Sequence, residues 1–249
     1  MPPKVYLTTT LPYVNADPHI GTALELVEAD ILARHYRDRG REVFFNTGTD
    51  EHGLKIYRQS LAAKQTPQAY VDQLAGRFQK LKTALNLSYD HFSRTTDPNH
   101  LTAVAEFWRR CFKAGDIYKK NYQVKYCVGC ELKKTDSELA NGRCPIHPAQ
   151  ELEIIEEENY FFRFSKYQKL LLELYLPNFV VPTVRLNEVR AFVERGLQDF
   201  SISRLATKMP WGIPVPNDPA QTIYVWFDAL ISYISAIGWP ADEAKFNTW

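Results

Sequence analysis

Apolar and polar positions follow two alternating periods through the first half of the chain. Residues 5–9 form a short β-like run that predicts a buried strand. Residues 21–39 then carry Leu24, Val27, Ile31 and Leu32 at helical spacing, with Gly40 just beyond as a helix stop. Residues 42–45 read as a second strand that ends in Asn46-Thr47-Gly48-Thr49. A helix-like stretch follows, and Thr66-Pro67 opens another that runs to residue 85. Strand, helix and strand within about 45 residues make a βαβ unit, so an α/β fold with a parallel sheet is expected.

The texture changes near Gly115. Residues 117–148 hold short strand-like runs, turns and a Cys/His cluster, like a module inserted into the α/β domain. Residues 151–158 are acidic and read as solvated, while 166–175 and 186–195 read as helices, the second closed by Gly196. Pro210, Pro214, Pro216 and Pro219 mark a loop-rich stretch. Residues 223–226 then read as a strand re-entering the sheet, and 228–237 as an apolar helix. The expected organisation is a first half-domain over 1–115, an inserted module over 116–222, and the start of the second half over 223–249. A strand–helix pair with nothing after it reads as a fragment of a longer chain.

Composition narrows the class. The hydrophobic fraction of 45% is enough to bury a core, and the formal charge of +1 leaves no global basic footprint, so nucleic acid must be met by local patches. No run of about 18 apolar residues predicts a membrane span, and the N-terminal residues lack signal-peptide architecture. A cytoplasmic location is expected. In that compartment, four cysteines, three of them clustered with a histidine, point to a metal rather than to disulfides.

Cys127-x2-Cys130 is followed by thirteen residues and then Cys144-x2-His147. Each pair sits on a tight turn, so two ligands converge from one side and two turns complete a tetrahedron. Gly129 and Pro145 lie inside those turns, with Gly142 just ahead of the second. Four protein ligands leave no open position, so one structural Zn²⁺ per chain is expected, with no catalytic part. Cys111 stands apart in an apolar helical stretch and reads as a packed core thiol.

The segment from Thr8 to Thr22 runs from a strand through a loop into a helix starting near His19. Two readings are open. A helix N-terminus offers free N–H groups and a positive dipole end, with Gly21 letting a base or phosphate approach and His19 able to donate to phosphate oxygens. The plainer reading is a proline-led helix start capped by Asp17. His19-Ile20-Gly21-Thr22 resembles the His-Ile/Leu-Gly-His signature of class I aminoacyl-tRNA synthetases. Leu11-Pro12-Tyr13-x-Asn15, Gly48-Thr49-Asp50-Glu51-His52-Gly53, Asp199-Phe200-Ser201-Ile202-Ser203-Arg204, Trp211-Gly212-Ile213-Pro214-Val215-Pro216 and Tyr224-Val225-Trp226-Phe227-Asp228-Ala229 resemble the methionyl-tRNA synthetase family in particular. The blocks stand in order along nearly the whole chain.

The resemblance implies a Rossmann-like catalytic fold with a zinc-knuckle connective module near the active site. It implies an enzyme that activates methionine with ATP and Mg²⁺ to methionyl adenylate and transfers the methionyl group to tRNA(Met). It places the methionine pocket at Leu11, Tyr13, Asp50, Trp226, Ala229 and Tyr233. There Asp50 would pair with the ammonium and the aromatic rings would wrap the thioether. Without the resemblance, the favoured reading of Trp226, Ala229 and Tyr233 is a helical packing stripe in the core. ATP would meet His19, Gly21 and Thr22, with His19 and Thr22 as the catalytic positions. Glu51 and His52 receive no role, and His35, His91 and His100 read as surface or structural.

Two departures from the pattern stand out. Thr22 occupies the fourth signature position in place of histidine, a change worth about 2–4 kcal/mol of transition-state stabilisation if nothing compensates. The chain also stops before the Lys-Met-Ser-Lys-Ser loop and the anticodon-binding domain of the resembled family. The 249 residues alone are therefore expected to be inactive or weak. Thr22 keeps open an alternative, a synthetase-like paralogue that binds or activates an amino acid without charging tRNA. A zinc-knuckle binding module without activity is a third reading.

Overall fold

In the computed structural model, which describes residues 4–127, 132–134, 138–175 and 179–249, the chain divides into two compact units. One comprises the residues up to Lys113 together with Ala206–Trp249; the other is Ala114–Leu205.

The first unit opens with strand β1 (Val5–Thr8), helix α1 (Ile20–Asp38) and strand β2 (Val43–Thr49). β1 and β2 run parallel from Val5↔Val43 to Thr8↔Asn46, as the strand–helix–strand pattern predicts. β2 is longer than expected. Its second half, Asn46-Thr47-Gly48-Thr49, where the strand was expected to end, pairs in parallel with a third strand, β3 (His91–Arg94). Asn46, Thr47 and Thr49 are buried there, and Ser93 Oγ donates to Asn46 Oδ1 at 2.8 Å. Side-chain hydrogen bonding inside the sheet thus lets these polar residues be buried in a strand.

Between β2 and β3 lie α2 (Leu54–Ala62), α3 (Pro67–Gln79) and α4 (Leu81–Ala84). Pro67 takes the first turn of α3 and the Thr66 hydroxyl accepts from Ala69 N at 3.2 Å. α5 (Pro98–Lys113) follows β3 and buries His100, Ala103, Val104 and Trp108. Cys111, near its end, is half-buried rather than a core thiol.

α1 corrects the predicted stripe. Leu24, Ile31 and Leu32 are 58%, 60% and 49% exposed, and the buried positions are Leu26, Asp30 and Ala33. Asp30 turns inward because its carboxylate accepts from Ser88 N, Ser88 Oγ and Arg34 Nε. Leu26 and Ala33 pack with Val43, Phe45, Leu87 and Tyr89 against the sheet. A second apolar cluster joins Val14, Ile56, Val71, Leu74 and Phe78.

The second unit is built on an antiparallel sheet in the order β5-β4-β6-β7, from β4 (Ile117–Cys127), β5 (Leu132–Lys134), β6 (Glu153–Phe162) and β7 (Phe200–Ser201). The acidic run expected to be solvated is the first half of β6. Its residues alternate: Glu156 and Glu158 face solvent, Glu158 pairing with Lys119 at 2.9 Å, whereas Glu157 and Asn159 are buried. The helix Thr183–Glu194 ends at Gly196, which has φ +100°. Strand β8 (Ser203–Leu205) closes the unit.

Residues 206–222 group with the first unit. There Gly53 N donates to Trp211 O at 3.0 Å and Trp211 Nε1 to Glu51 O at 2.6 Å. β9 (Pro214–Val215) and β10 (Asp218–Ile223) pair antiparallel, with Asn217 at φ +66° between them. The strand predicted at 223–226 therefore ends at Ile223, and Tyr224 caps a short helix, Val225–Ala229. Among the described residues the parallel sheet has three strands, β1-β2-β3.

Candidate active site

The loop after β1 and the end of β2 continue the parallel pairing past the strands. Asp50 N donates to Pro12 O at 2.9 Å and Val14 N to Asp50 O at 3.0 Å. This sets Tyr13 and Asp50 side by side at the carboxyl end of the sheet, the edge where open α/β sheets place their ligands. Asp50 Oδ1 is buried and has no hydrogen-bond partner in the protein. Burial first, and the charge of Asp228 second, hold its carboxyl well above the usual range. Burial and the Asp50 charge push the Tyr13 phenol up to about 12, and burial, Glu25 and Asp50 raise that of Tyr233. Tyr6 OH donates to Tyr233 O at 2.7 Å and ties that segment to β1.

Two of the predicted pocket residues, Tyr13 and Tyr233, therefore each feel the charge of a third, Asp50. Leu11 and Ala229 are half-buried. Trp226 is 64% exposed on the helix Val225–Ala229, so it is no core residue.

α1 begins at Ile20 and its N-cap is His19, not Asp17. Asp17 pairs instead with Arg77. His19 Nδ1 accepts from Gly21 N at 3.1 Å and Thr22 N at 3.3 Å. A ring nitrogen that accepts carries no proton, which leaves Nε2 as the ring's N–H donor. Gly21 makes this fold-back possible: a Cβ there would stand 3.0 Å from His19 Cε1 and Nδ1. Thr22 is half-buried and lines a small open cleft with Thr9, Thr10, Glu25 and Thr47. Glu25 is held there by Thr10 N at 2.7 Å and by the Thr10 hydroxyl.

In the other unit, Cys127 and Cys144 are buried, and their sulfurs and a His147 nitrogen lie within 4.8 Å of one another. Cys127 Sγ stands 3.7 Å from His147 Nδ1. A tetrahedron with Zn–S of about 2.3 Å and Zn–N of about 2.1 Å has an S···N edge of about 3.6 Å, so the donor set fits zinc. Cys130, the predicted fourth ligand, lies outside the described residues.

The family profile described as "tRNA synthetases class I (M)" matches residues 5–152 and 130–249. The chain belongs to this family. A methionine–tRNA ligase of Thermosynechococcus vestitus is 54% identical over 256 residues, covering 100% of this chain and 48% of that protein. The chloroplastic/mitochondrial methionine–tRNA ligase of Arabidopsis thaliana is 47% identical, covering 94% of this chain and 41% of its own. The crystal structure of Mycobacterium tuberculosis methionyl-tRNA synthetase bound by methionyl-adenylate superposes with a TM-score of 0.86 at 40% identity, over 99% of this chain and 50% of that one. This synthetase-family chain thus spans about half the length of the curated relatives it matches. Its parallel sheet with flanking helices is the class I synthetase Rossmann-like fold.

Sequence reasoning passed over two groups in this synthetase-family site. Thr9, Thr10, Glu25 and Thr47 around the cleft carry no spacing signal; the run Thr8-Thr9-Thr10 at the end of β1 marks only the first two. His52, His100 and Asp228 form a buried cluster, and only the motif positions of His52 and Asp228 hinted at it.

Proposed function

We propose that the chain carries the amino-acid-activating part of a methionine–tRNA ligase, an enzyme that joins methionine to ATP as methionyl adenylate and passes the methionyl group to tRNA(Met). One observation carries this reading: a buried carboxylate oxygen of Asp50, without a partner, set beside Tyr13 at the carboxyl end of a parallel sheet. Such an oxygen is costly to bury and is matched by a ligand cation. The ammonium of methionine is that cation, and Leu11, Tyr13, Trp226, Ala229 and Tyr233 enclose its side chain.

In the reaction, a methionine carboxylate oxygen attacks the α-phosphorus of ATP, and the bond to the bridging oxygen breaks to release pyrophosphate. No protein nucleophile is needed; positioning and charge stabilisation suffice. Mg²⁺ arriving on ATP neutralises phosphate charge. His19, its tautomer fixed by the cap, offers Nε2–H to phosphate oxygens, and Thr22 offers a hydroxyl across the cleft. Gly21 leaves room for the imidazole to fold back on the helix start.

Cys127, Cys130, Cys144 and His147 hold one structural zinc that braces the inserted module, which we place at Ala114–Leu205, against the 116–222 expected from sequence. Among the described residues no helix is long and apolar enough to cross a membrane, and we assign the protein to the cytoplasm. The test is methionine-dependent ATP–pyrophosphate exchange. Because the 249 residues alone are expected to be inactive or weak, the assay uses the full-length protein: exchange with methionine and not with leucine is expected, and equal, measurable exchange with both overturns the substrate assignment.

A further inference from the structure

Two of the motifs around the candidate pocket each contain a residue that the proposed reaction leaves unused. One is His52, two positions after Asp50; the other is Asp228, between Trp226 and Ala229. The fold joins them. The Asp228 carboxylate is fully buried, with Oδ2 2.7 Å from His52 Nδ1 and Oδ1 2.7 Å from His100 Nε2. His100, on the first turn of α5, reaches Ser235 Oγ with its other nitrogen at 3.2 Å. The His52 ring meets Trp211 edge-on at 5.4 Å. One carboxylate therefore fastens together the loop after β2, the start of α5 and the helix Val225–Ala229.

A purely structural link of this kind would be served as well by apolar packing, because two buried imidazoles and a carboxylate gain little net stability. What the arrangement does supply is a fixed spacing. We propose that Asp228, held by His52 and His100, is a positioning residue of the amino-acid site: it sets the distance between Asp50 on one side and Trp226 and Ala229 on the other. The proposal rests on the reading of those three residues as methionine contacts. Asp228 also faces Asp50 electrostatically, as do Glu51, Tyr13 and Tyr233. Its negative charge helps keep Asp50 easy to protonate, so the acid limb of methionine binding carries its signature.

The test uses the full chain and the variants Asp228→Asn, His100→Gln and His100→Ala. Each is titrated calorimetrically with methionine and with ATP across pH, and melted without ligand. Asp228→Asn is expected to weaken methionine by about tenfold or more while ATP stays within about twofold, since a positioning defect acts on one ligand. Its acid limb moves to lower pH, because Asp50 loses a neighbour that raises its proton affinity. His100→Gln keeps a side-chain donor for Asp228 and retains more methionine affinity than His100→Ala.

Unchanged methionine affinity in Asp228→Asn, or methionine and ATP falling together with an unshifted acid limb, overturns the positioning role. If Asp228→Asn does not fold, the histidine pair decides: equal methionine affinities for Gln and Ala overturn it. A wild-type chain that binds no methionine sinks the pocket assignment itself, and the positioning role with it. A wild type that binds methionine while every variant matches it sinks the positioning role alone.

Discussion

Replacing Asp50 by asparagine separates stability from binding. In the ligand-free chain Asp50 Oδ1 is buried without a partner, and Asp228 adds a second negative charge nearby. The folded-state pKa is raised, so ionised Asp50 opposes folding at neutral pH. That penalty fades as pH falls through the raised value, where the folded chain takes up a proton more readily than the unfolded one. Asp50→Asn removes the charge and keeps the shape. The ligand-free variant should gain on the order of 1 kcal/mol at pH 7, a rise of about 2–4 °C in Tm for a chain this size. Its advantage over the wild type should shrink on acidification.

Methionine binding moves the other way. Gross attraction between ammonium and carboxylate at about 3 Å is roughly 5 kcal/mol at an effective dielectric of 20, and desolvation cancels much of it. The net charge-assisted bond of about 1.5–3 kcal/mol predicts a loss of about 10- to 150-fold in affinity. Calorimetric titration and a melt in the same buffer read both effects. A variant that binds methionine as well as the wild type, or one that melts lower, refutes the assignment of Asp50 as the ammonium partner.

Three further outcomes are expected. Metal analysis should find one zinc per chain, and Cys144→Ser should release it; structural zinc supplies on the order of 10 kcal/mol to a small module, so faster hydrogen exchange should spread through Ala114–Leu205. Gly48→Ala should destabilise by about 2–4 kcal/mol in urea unfolding, because its Cβ would stand 2.8 Å from the carbonyl carbon and 3.0 Å from Cα of Ser93 on the paired strand. Arg94→Ala should cost about 3–5 kcal/mol by the same measure, since Arg94 Nε donates at 2.7 Å to a Glu51 side chain that is 0% exposed and would keep only hydroxyl partners.

The first βαβ unit was legible because its signals are local: a β-like run, Gly40 at φ +73° after the helix, and Thr66-Pro67 before the next one, although the helical period marked the wrong face of α1. What stayed hidden depends on partners distant in the chain. Asp30 is buried because Ser88, 58 positions away, supplies two donors, and no periodicity rule points a carboxylate inward. The polar end of β2 is a strand because β3 lies beside it, and β3 is only four residues long. β6 hides its register behind a run of glutamates in which only Glu157 is buried next to Asn159. His19 was found by resemblance, but its capping role and the need for Gly21 follow from the imidazole folding back on the helix, which residue types alone do not reveal. The cysteine and histidine spacing was informative by itself, since short spacings fix which side chains can converge.

A crystal structure of the chain with a non-hydrolysable methionyl-adenylate analogue tests the central claim most directly. The predicted result places the ammonium within hydrogen-bond distance of Asp50 Oδ1, the thioether among Leu11, Tyr13, Trp226 and Tyr233, and the phosphate at His19 Nε2. An analogue bound elsewhere, or bound with Asp50 Oδ1 still without a partner, contradicts it.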